Sequence, residues 1–373
     1  MSIKTVLITG GAGFIGSHVA DKLVEKGYKV RILDRLISQV HDNEQAQYIT
    51  PGADLIVGDI RDRAVVGRAL KGVDAVIHLA AEVGVGQSMY EVERYVDVNS
   101  RGTATLLDLV ASGQYSIKRI IVASSMSVYG EGSYRCAEHG SISPSPRDSA
   151  QLRAHIWDMS CPICDKKVSP VPTTEDQPLN PTSIYAISKM DQELMTLSIG
   201  RHYGIGTVAL RFFNTYGPRQ ALSNPYTGLA AIFSTQLLAG KAPTVFEDGN
   251  QARDFIHVYD TALAVVMALE ATDVTDVVCN IGTGKPVTVL EVAQKLSNEL
   301  GKDIEPTVTQ TYRAGDIRHC WADTRRAKEL FGFEAQIDFS NGAKELVEWV
   351  KDQKPTDLSS IAQKELALRD LSN

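Results

Sequence analysis

Along the first third of the chain, short runs of β-branched residues alternate with stretches whose apolar positions recur every three to four residues. The runs at 6–8, 29–33, 55–57, 75–79 and 119–122 predict strands, and 14–25, 63–70 and about 90–110 predict helices between them. Further strands are expected at 206–213 and 276–280, after a helix near 183–202. This alternation predicts an α/β fold, a Rossmann-type doubly wound parallel sheet with helices on both faces. The rhythm breaks twice. Residues 131–172 are rich in Pro, Ser, Cys and charge, keep no sustained period, and read as an insert. Residues 216–250 and 285–340 mix helix and loop and predict a smaller substrate-binding domain, which leaves 1–215 and 251–284 to the Rossmann domain. Residues 341–373 read as a helical tail with no assigned role.

Composition removes several classes. With 373 residues, 43% of them apolar and 22% charged, the chain has ample material for a buried core. A net charge of -7 argues against a general nucleic-acid partner. No apolar run approaches the ~20 residues of a membrane helix. Residues 4–9 lead straight into a glycine loop rather than a cleavable signal, so the cytoplasm is the expected location. Five cysteines, three of them within 136–164, speak against a disulfide framework. Cys279 and Cys320 read as packing residues.

The first predicted strand runs into Gly10-Gly11-Ala12-Gly13-Phe14-Ile15-Gly16, between a strand and an amphipathic helix. Glycines at this spacing allow a tight turn and let a pyrophosphate approach the backbone at a helix N-terminus, where free N–H groups favour an anion. Asp34 closes the second strand 18 residues past Gly16, where a carboxylate accepts from ribose hydroxyls and repels a 2′-phosphate. The motif therefore predicts NAD rather than NADP, with Arg35 next door as the opposing feature. Asp59 and Ile60 end the third strand, where an adenine edge could be read. A helix N-cap for the segment beginning at Asp62 is an equally good role for Asp59. Leu79, Ala80 and Ala81 after the fourth strand, and Asn99, complete the cofactor set, although an architectural role suits them as well.

Tyr185-Ala186-Ile187-Ser188-Lys189 places a phenol and an ammonium four residues apart on one helix face. A nearby cation favours the phenolate and makes such a tyrosine a usable general base. Upstream, a strand ends in Ser124-Ser125-Met126-Ser127-Val128-Tyr129-Gly130, which puts hydroxyls at the sheet's carboxyl edge.

Taken in order, the glycine loop, Asp34, the Ser-Ser-x-x-Val-Tyr-Gly run, Tyr-x-x-x-Lys, the segment 211–219 and the segment 253–260 resemble the extended short-chain dehydrogenases/reductases acting on nucleotide-linked sugars. The resemblance covers the chain to about residue 335. It implies that Tyr185 is the catalytic base, that Lys189 tunes it and holds the nicotinamide ribose, and that Ser125 is the hydroxyl partner. It further implies that Asn214, Arg253 and Arg313 meet the sugar diphosphate, that Asp316 lies near the nucleotide ribose, and that Val245 and Phe246 line the base pocket. Dehydratases and decarboxylases of this frame carry acidic residues just after the catalytic hydroxyl, where Met126 and Ser127 stand here. Dehydration and decarboxylation thus fall well behind a 4-epimerase or a reductase of a 4-keto sugar, with a 4,6-dehydratase as the weaker alternative. The family's helix-pair interface implies a homodimer.

The insert carries Cys136-x-x-His139 and Cys161-x-x-Cys164, 21 residues apart. Two such pairs supply four tetrahedral ligands to a structural zinc, which would replace the core that so short a loop lacks. Incidental reduced cysteines are the alternative. The insert pattern resembles the dTDP-L-rhamnose 4-epimerase group, which implies interconversion of dTDP-L-rhamnose and dTDP-6-deoxy-L-talose. A UDP-sugar 4-epimerase stays open. A non-catalytic NAD sensor and a zinc-mediated interaction protein are the rival classes, and neither explains the Tyr185–Lys189 pair.

Overall fold

The computed structural model describes residues 3–41, 46–226, 228–313 and 315–372. Seven parallel strands form the main sheet: β1 (Thr5–Thr9), β2 (Lys29–Asp34), β3 (Asp54–Val57), β4 (Ala75–His78), β5 (Arg119–Ser125), β6 (Gly206–Phe212) and β7 (Val277–Ile281). Their order is β7-β6-β5-β4-β1-β2-β3. The chain thus winds one way from β1 to β3 and the other way from β4 to β7. The carboxyl ends of β1 and β4 flank the point of reversal, where such sheets open a crevice. The Rossmann-type fold read from the sequence is therefore the fold observed.

Helices α1 (Phe14–Glu25), α2 (Arg63–Leu70), α3 (Gly102–Ala111), α4 (Ile184–Tyr203) and α5 (Val258–Glu270) cover the sheet. Strands buried on both faces read as continuous apolar runs, and Val6, Leu7, Ile8, Ile120, Ile121 and Val122 are fully buried. The expected helix at 90–110 is not continuous: Val92–Tyr95 passes through a π-helical turn at Val96–Arg101 before α3 begins. The extra residue per turn there lets Asn99 reach inward, a shift that sequence period cannot announce.

A second apolar cluster gathers Phe233, Val292, Leu296, Leu346 and Val350, from the helices Leu229–Leu238, Val289–Glu299 and Phe339–Lys351, with Val245 and Phe255 from the strands Thr244–Val245 and Ala252–His257. Two details differ from the expected division. The strand Ala252–His257 belongs to a small separate sheet, paired with Asn214–Tyr216, Pro286–Thr288 and His319–Cys320. Helix Phe339–Lys351 buries Ala343, Leu346, Val347 and Val350 in this second core, so the expected tail begins with a core element. The insert, aperiodic in sequence, holds three short antiparallel strands, Ser133–Cys136, Gly140–Ile142 and Ser169–Val171. Among the described residues, no helix is long and apolar enough to cross a membrane.

Between β6 and α4, Arg211 donates to both oxygens of Glu193, at 3.0 and 2.6 Å, and also to Tyr129 Oη and Glu175 O. Both partners are almost wholly buried. Removing one partner leaves an uncompensated charge in the core, so Glu193→Ala should cost about 3–5 kcal/mol in denaturant unfolding. The double replacement of Glu193 and Arg211 by Met should cost clearly less, and equal losses would show that the pair is not what holds α4 to the sheet.

Candidate functional site

The crevice is built around close backbone contacts. Gly10 has φ +71°, and a Cβ there would lie 2.8 Å from Ala80 N. A Cβ on Gly16 would fall 2.3 Å from Gly10 O. Gly13 precedes α1 with no side-chain cap, and a Cβ there would meet only Gly10 O at 3.4 Å, so its open side faces the crevice. The first-turn amides at Phe14 and Ile15 are left for an anion. Asp34 accepts from the amides of Ala12 and Leu36, both at 3.0 Å, which fixes its carboxylate beside this loop with acceptor capacity remaining.

The neighbouring residues sort less simply. Arg35 turns to Asp59, 3.3 Å away, rather than to Asp34. Asp59 also holds Arg61, whose hydrogen bonds keep its carboxyl below the usual range. The helix N-cap is Asp62, which accepts from Ala64 and Val65, and not Asp59. Ile60 packs where a Cβ on Gly102 would stand, 2.6 Å from its Cγ2. Leu79, Ala80 and Ala81 follow β4 at the crevice. Asn99 is fully engaged: it accepts from Glu82 N at 2.7 Å and donates to Glu82 O and Ser188 Oγ, tying the segment after β4 to α4.

The chemical pole lies at the end of β5. Ser125 Oγ accepts from the amide and the hydroxyl of Ser127, at 3.2 and 2.9 Å. Ser124 Oγ is buried without a partner among the described residues. Tyr185 sits in the first turn of α4, which Ser183 caps by accepting from Ala186 N. Burial raises the Tyr185 phenol above its usual pKa, and a hydrogen bond with Ser125 opposes the rise. The tyrosine and the strand-end hydroxyl are therefore brought together as expected. Lys189 is turned elsewhere: its Nζ donates to Gln192 Oε1 at 2.5 Å, and burial lowers its pKa to about 7. Gln192 in turn donates to Thr103 Oγ1 at 2.8 Å and faces His78 Nε2 at 3.1 Å. Burial lowers the His78 pKa to about 3, so this ring is neutral. His78 and Thr103 lie in the sequence motifs around Leu79 and Asn99 that read as architectural, and Gln192 alone was not singled out. Gln192 had a signal, since it lies three residues past Lys189 on one helix.

At the other pole, Asn214 Oδ1 is buried without a partner among the described residues, in the strand paired to Ala252–His257. Val245 is fully buried, and the Arg313 guanidinium lies 4.7 Å over the Phe246 ring. Arg313 Nε donates to Asp316 at 2.9 Å. Arg253 donates to the carbonyls of Ala252, Ile317 and Arg318, one residue beyond that turn. Phe246, Arg253, Arg313 and Asp316 thus form one group.

In the insert, the ligand atoms of Cys136, His139, Cys161 and Cys164 all lie within 4.8 Å of one another. Cys136 Sγ is 3.6 Å from His139 Nδ1 and 3.7 Å from Cys164 Sγ, and Cys161 Sγ is 3.6 Å from the same imidazole nitrogen. Ligands ~2.3 Å from a tetrahedral zinc stand about 3.8 Å apart. The amides of Glu138 and His139 point at Cys136 Sγ, as at a thiolate.

This arrangement has relatives. The profile of the NAD dependent epimerase/dehydratase family matches residues 6–151, and that of GDP-mannose 4,6 dehydratase matches 167–346. A dTDP-L-rhamnose 4-epimerase of Burkholderia thailandensis is 33% identical over 94% of this chain and 96% of its own length. The chain belongs to the NAD-dependent epimerase/dehydratase family. A putative UDP-glucose 4-epimerase of Methanocaldococcus jannaschii is 34% identical over 94% of this chain and all of its own. The crystal structure of a UDP-glucose 4-epimerase from Thermotoga maritima, solved with UDP-glucose, superposes with a TM-score of 0.76 at 31% identity, over 93% and 98% of the two chains.

NAD is the cofactor of this enzyme family, and the residues present fit it. The open face at Gly13, the uncapped start of α1 and the fixed Asp34 carboxylate suit a pyrophosphate and a ribose with a free 2′-hydroxyl. Asp34→Ala should reduce the preference for NAD over NADP by about tenfold or more in paired binding titrations. Equal or tighter NADP binding by the native protein would show that Arg35 dominates the pocket.

Proposed function

We propose that this enzyme inverts carbon 4 of a hexose carried on a nucleoside diphosphate, by way of a transient 4-keto sugar. One observation carries the choice of reaction. The pair of Ser125 and Tyr185 is followed by no carboxylate: Met126 packs with Tyr129 and Phe213, and Ser127 donates to Ser125. A dehydratase or decarboxylase needs a further acid or base at carbon 5 or carbon 6, and this loop offers none. Inversion at carbon 4 needs only one hydroxyl deprotonated and one oxygen held.

Each residue then has a task. Tyr185 takes the proton from the 4-hydroxyl, and Ser125 donates a hydrogen bond to that oxygen as it becomes a carbonyl. Lys189 shares a helix face with Tyr185, four residues on, and leaving Gln192 for the nicotinamide ribose brings its charge where it favours phenolate. NAD, when bound, supplies the site that accepts and returns the carbon 4 hydrogen. Arg253 and Arg313 hold the diphosphate while the keto sugar turns between them and the sheet, with Asn214 on the sugar side, Asp316 on the ribose and Val245 and Phe246 on the base.

The best-supported substrate is dTDP-L-rhamnose, giving dTDP-6-deoxy-L-talose, because the insert pattern and the Burkholderia thailandensis relative agree. A UDP-sugar is the second reading, favoured by the similarity to the Methanocaldococcus jannaschii and Thermotoga maritima proteins. Residues 216–250 and 285–340 serve as the substrate domain. Cys136, His139, Cys161 and Cys164 hold a structural zinc, a reading supported by ligand atoms spaced as a tetrahedron requires. Reduced thiols of this kind suit the cytoplasm. A homodimer is supported by exposed Val92, Val96, Ile187 and Leu194 on neighbouring helices.

Tyr185→Phe removes the proton acceptor and little else. Its turnover of dTDP-L-rhamnose or UDP-glucose, followed by NMR without added reductant, should fall about 10²–10⁴-fold. Binding of the sugar nucleotide should change little. Stoichiometric NADH oxidation with a 4-keto sugar, and no redox-neutral inversion by the native enzyme, would instead assign a reductase.

A further inference from the structure

The insert does not stand apart from the nucleotide-binding group. Both of its ends hang on the strand beside Arg318: Gly132 N donates to His319 O at 3.1 Å, and Thr173 N donates to Trp321 O at 2.8 Å. Between them, the side chain of Arg147 is buried against the loop that carries Val245 and Phe246. It donates to Glu247 Oε1 at 2.9 Å and to Asp316 O at 2.7 Å, while its remaining partners, Trp157 O at 3.3 Å and the Glu131 carboxylate 3.6 Å from its Nε, lie within the insert. One planar guanidinium thus joins three segments, a task its fixed fork of donors suits and a lysine would not.

A second link runs through the cysteine pair. Ser160 and Lys167 bridge the base of the hairpin that carries Cys161 and Cys164. Immediately before it, Asp158 accepts from Arg318 at 3.0 Å, and Arg318 also holds Glu247 and Asp248 on the nucleotide side. The insert's own apolar cluster is small: Tyr134, Met159 and Val168 are buried with Cys136 and Cys161. A core of that size cannot by itself offset the ordering of forty residues, whereas a metal bound by four of its side chains can.

We infer that the metal-bound insert is a working wall of the sugar-nucleotide site, in which Arg147 is the positioning residue that holds the Phe246 and Asp316 segments in register. The inference rests on the proposed reading of those segments as the nucleotide end, and of the four ligands as a zinc site. Metal occupancy then sets the affinity for a nucleoside diphosphate while leaving the NAD end, on the other side of the crevice, untouched.

The test uses the full-length enzyme with dTDP, UDP and NAD as separate calorimetric probes, after elemental analysis for about one zinc per chain. Three preparations are compared with the native enzyme: Arg147→Met, Asp158→Asn, and native enzyme stripped by a chelator and then resupplied with zinc. Arg147→Met and the stripped enzyme should bind the preferred diphosphate about tenfold more weakly or worse, with NAD affinity within about twofold of native. Asp158→Asn should show the same split more mildly, and added zinc should restore the stripped enzyme. Because Asp158 is partly exposed, that variant keeps the test open if Arg147→Met does not fold. Native diphosphate affinity in all three preparations overturns the inference, as does a parallel loss of NAD and diphosphate, which marks general destabilisation. A native enzyme that binds NAD but neither diphosphate overturns the reading of the nucleotide end itself. One that binds diphosphate with no zinc present overturns the metal's part in it.

Discussion

Three backbone segments meet at the start of the crevice more closely than any side chain permits, and the placement of every other group follows from that approach. Gly10 touches the chain after β4, and Gly16 touches Gly10, so α1 begins within reach of both strands at the point where the sheet reverses. The parallel register then sets the rest. Asp34 ends β2 on one side of that point, Ser125 ends β5 on the other, and α4 packs across β5 so that Tyr185 faces the strand's last hydroxyl. The proposed acid-base pair and cofactor cradle are thereby held on rigid elements rather than on loops, as a hydrogen transfer over short distances demands.

Polar burial is the cost of this design. Lys189, His78, Gln192 and Thr103 form a hydrogen-bonded group beneath the crevice, away from water. Burial holds His78 neutral and drags the lysine toward neutrality, so the ammonium gains by leaving Gln192 for an electron-rich partner. Arg211 with Glu193 plays a structural part nearby, locking α4 to β6. The wide apolar sheet core supplies the stability that such buried polar groups draw down.

Much of this was legible in the sequence, and the reason is locality. The strand and helix periods, the glycine loop with Asp34, the Tyr185–Lys189 spacing and the paired Cys/His motifs each reside within a few residues, where one element's geometry dictates the pattern. What escaped reading depends on contacts between distant segments. Arg147 looked like one charge in an aperiodic loop, yet its partners lie 100 and 169 residues away. His78 and Thr103 meet Gln192 only because the sheet brings their elements together. The π-helical turn at Val96–Arg101 and the capture of Phe339–Lys351 by the second core likewise answer to packing rather than to local period.

The account stands or falls on the path of one hydrogen. If Tyr185 and Ser125 handle only the hydroxyl proton, the hydrogen on carbon 4 never meets solvent. The most direct measurement runs the native enzyme in deuterated water on dTDP-L-rhamnose, and in parallel on UDP-glucose, following carbon 4 of both epimers by NMR without added reductant. The account predicts inversion at carbon 4 of one of them, with no solvent deuterium at that carbon and none at carbon 5. Deuterium at carbon 4 in the product would contradict transfer through the cofactor, and deuterium at carbon 5 would mean that an acid or base outside the Ser125–Tyr185 pair takes part.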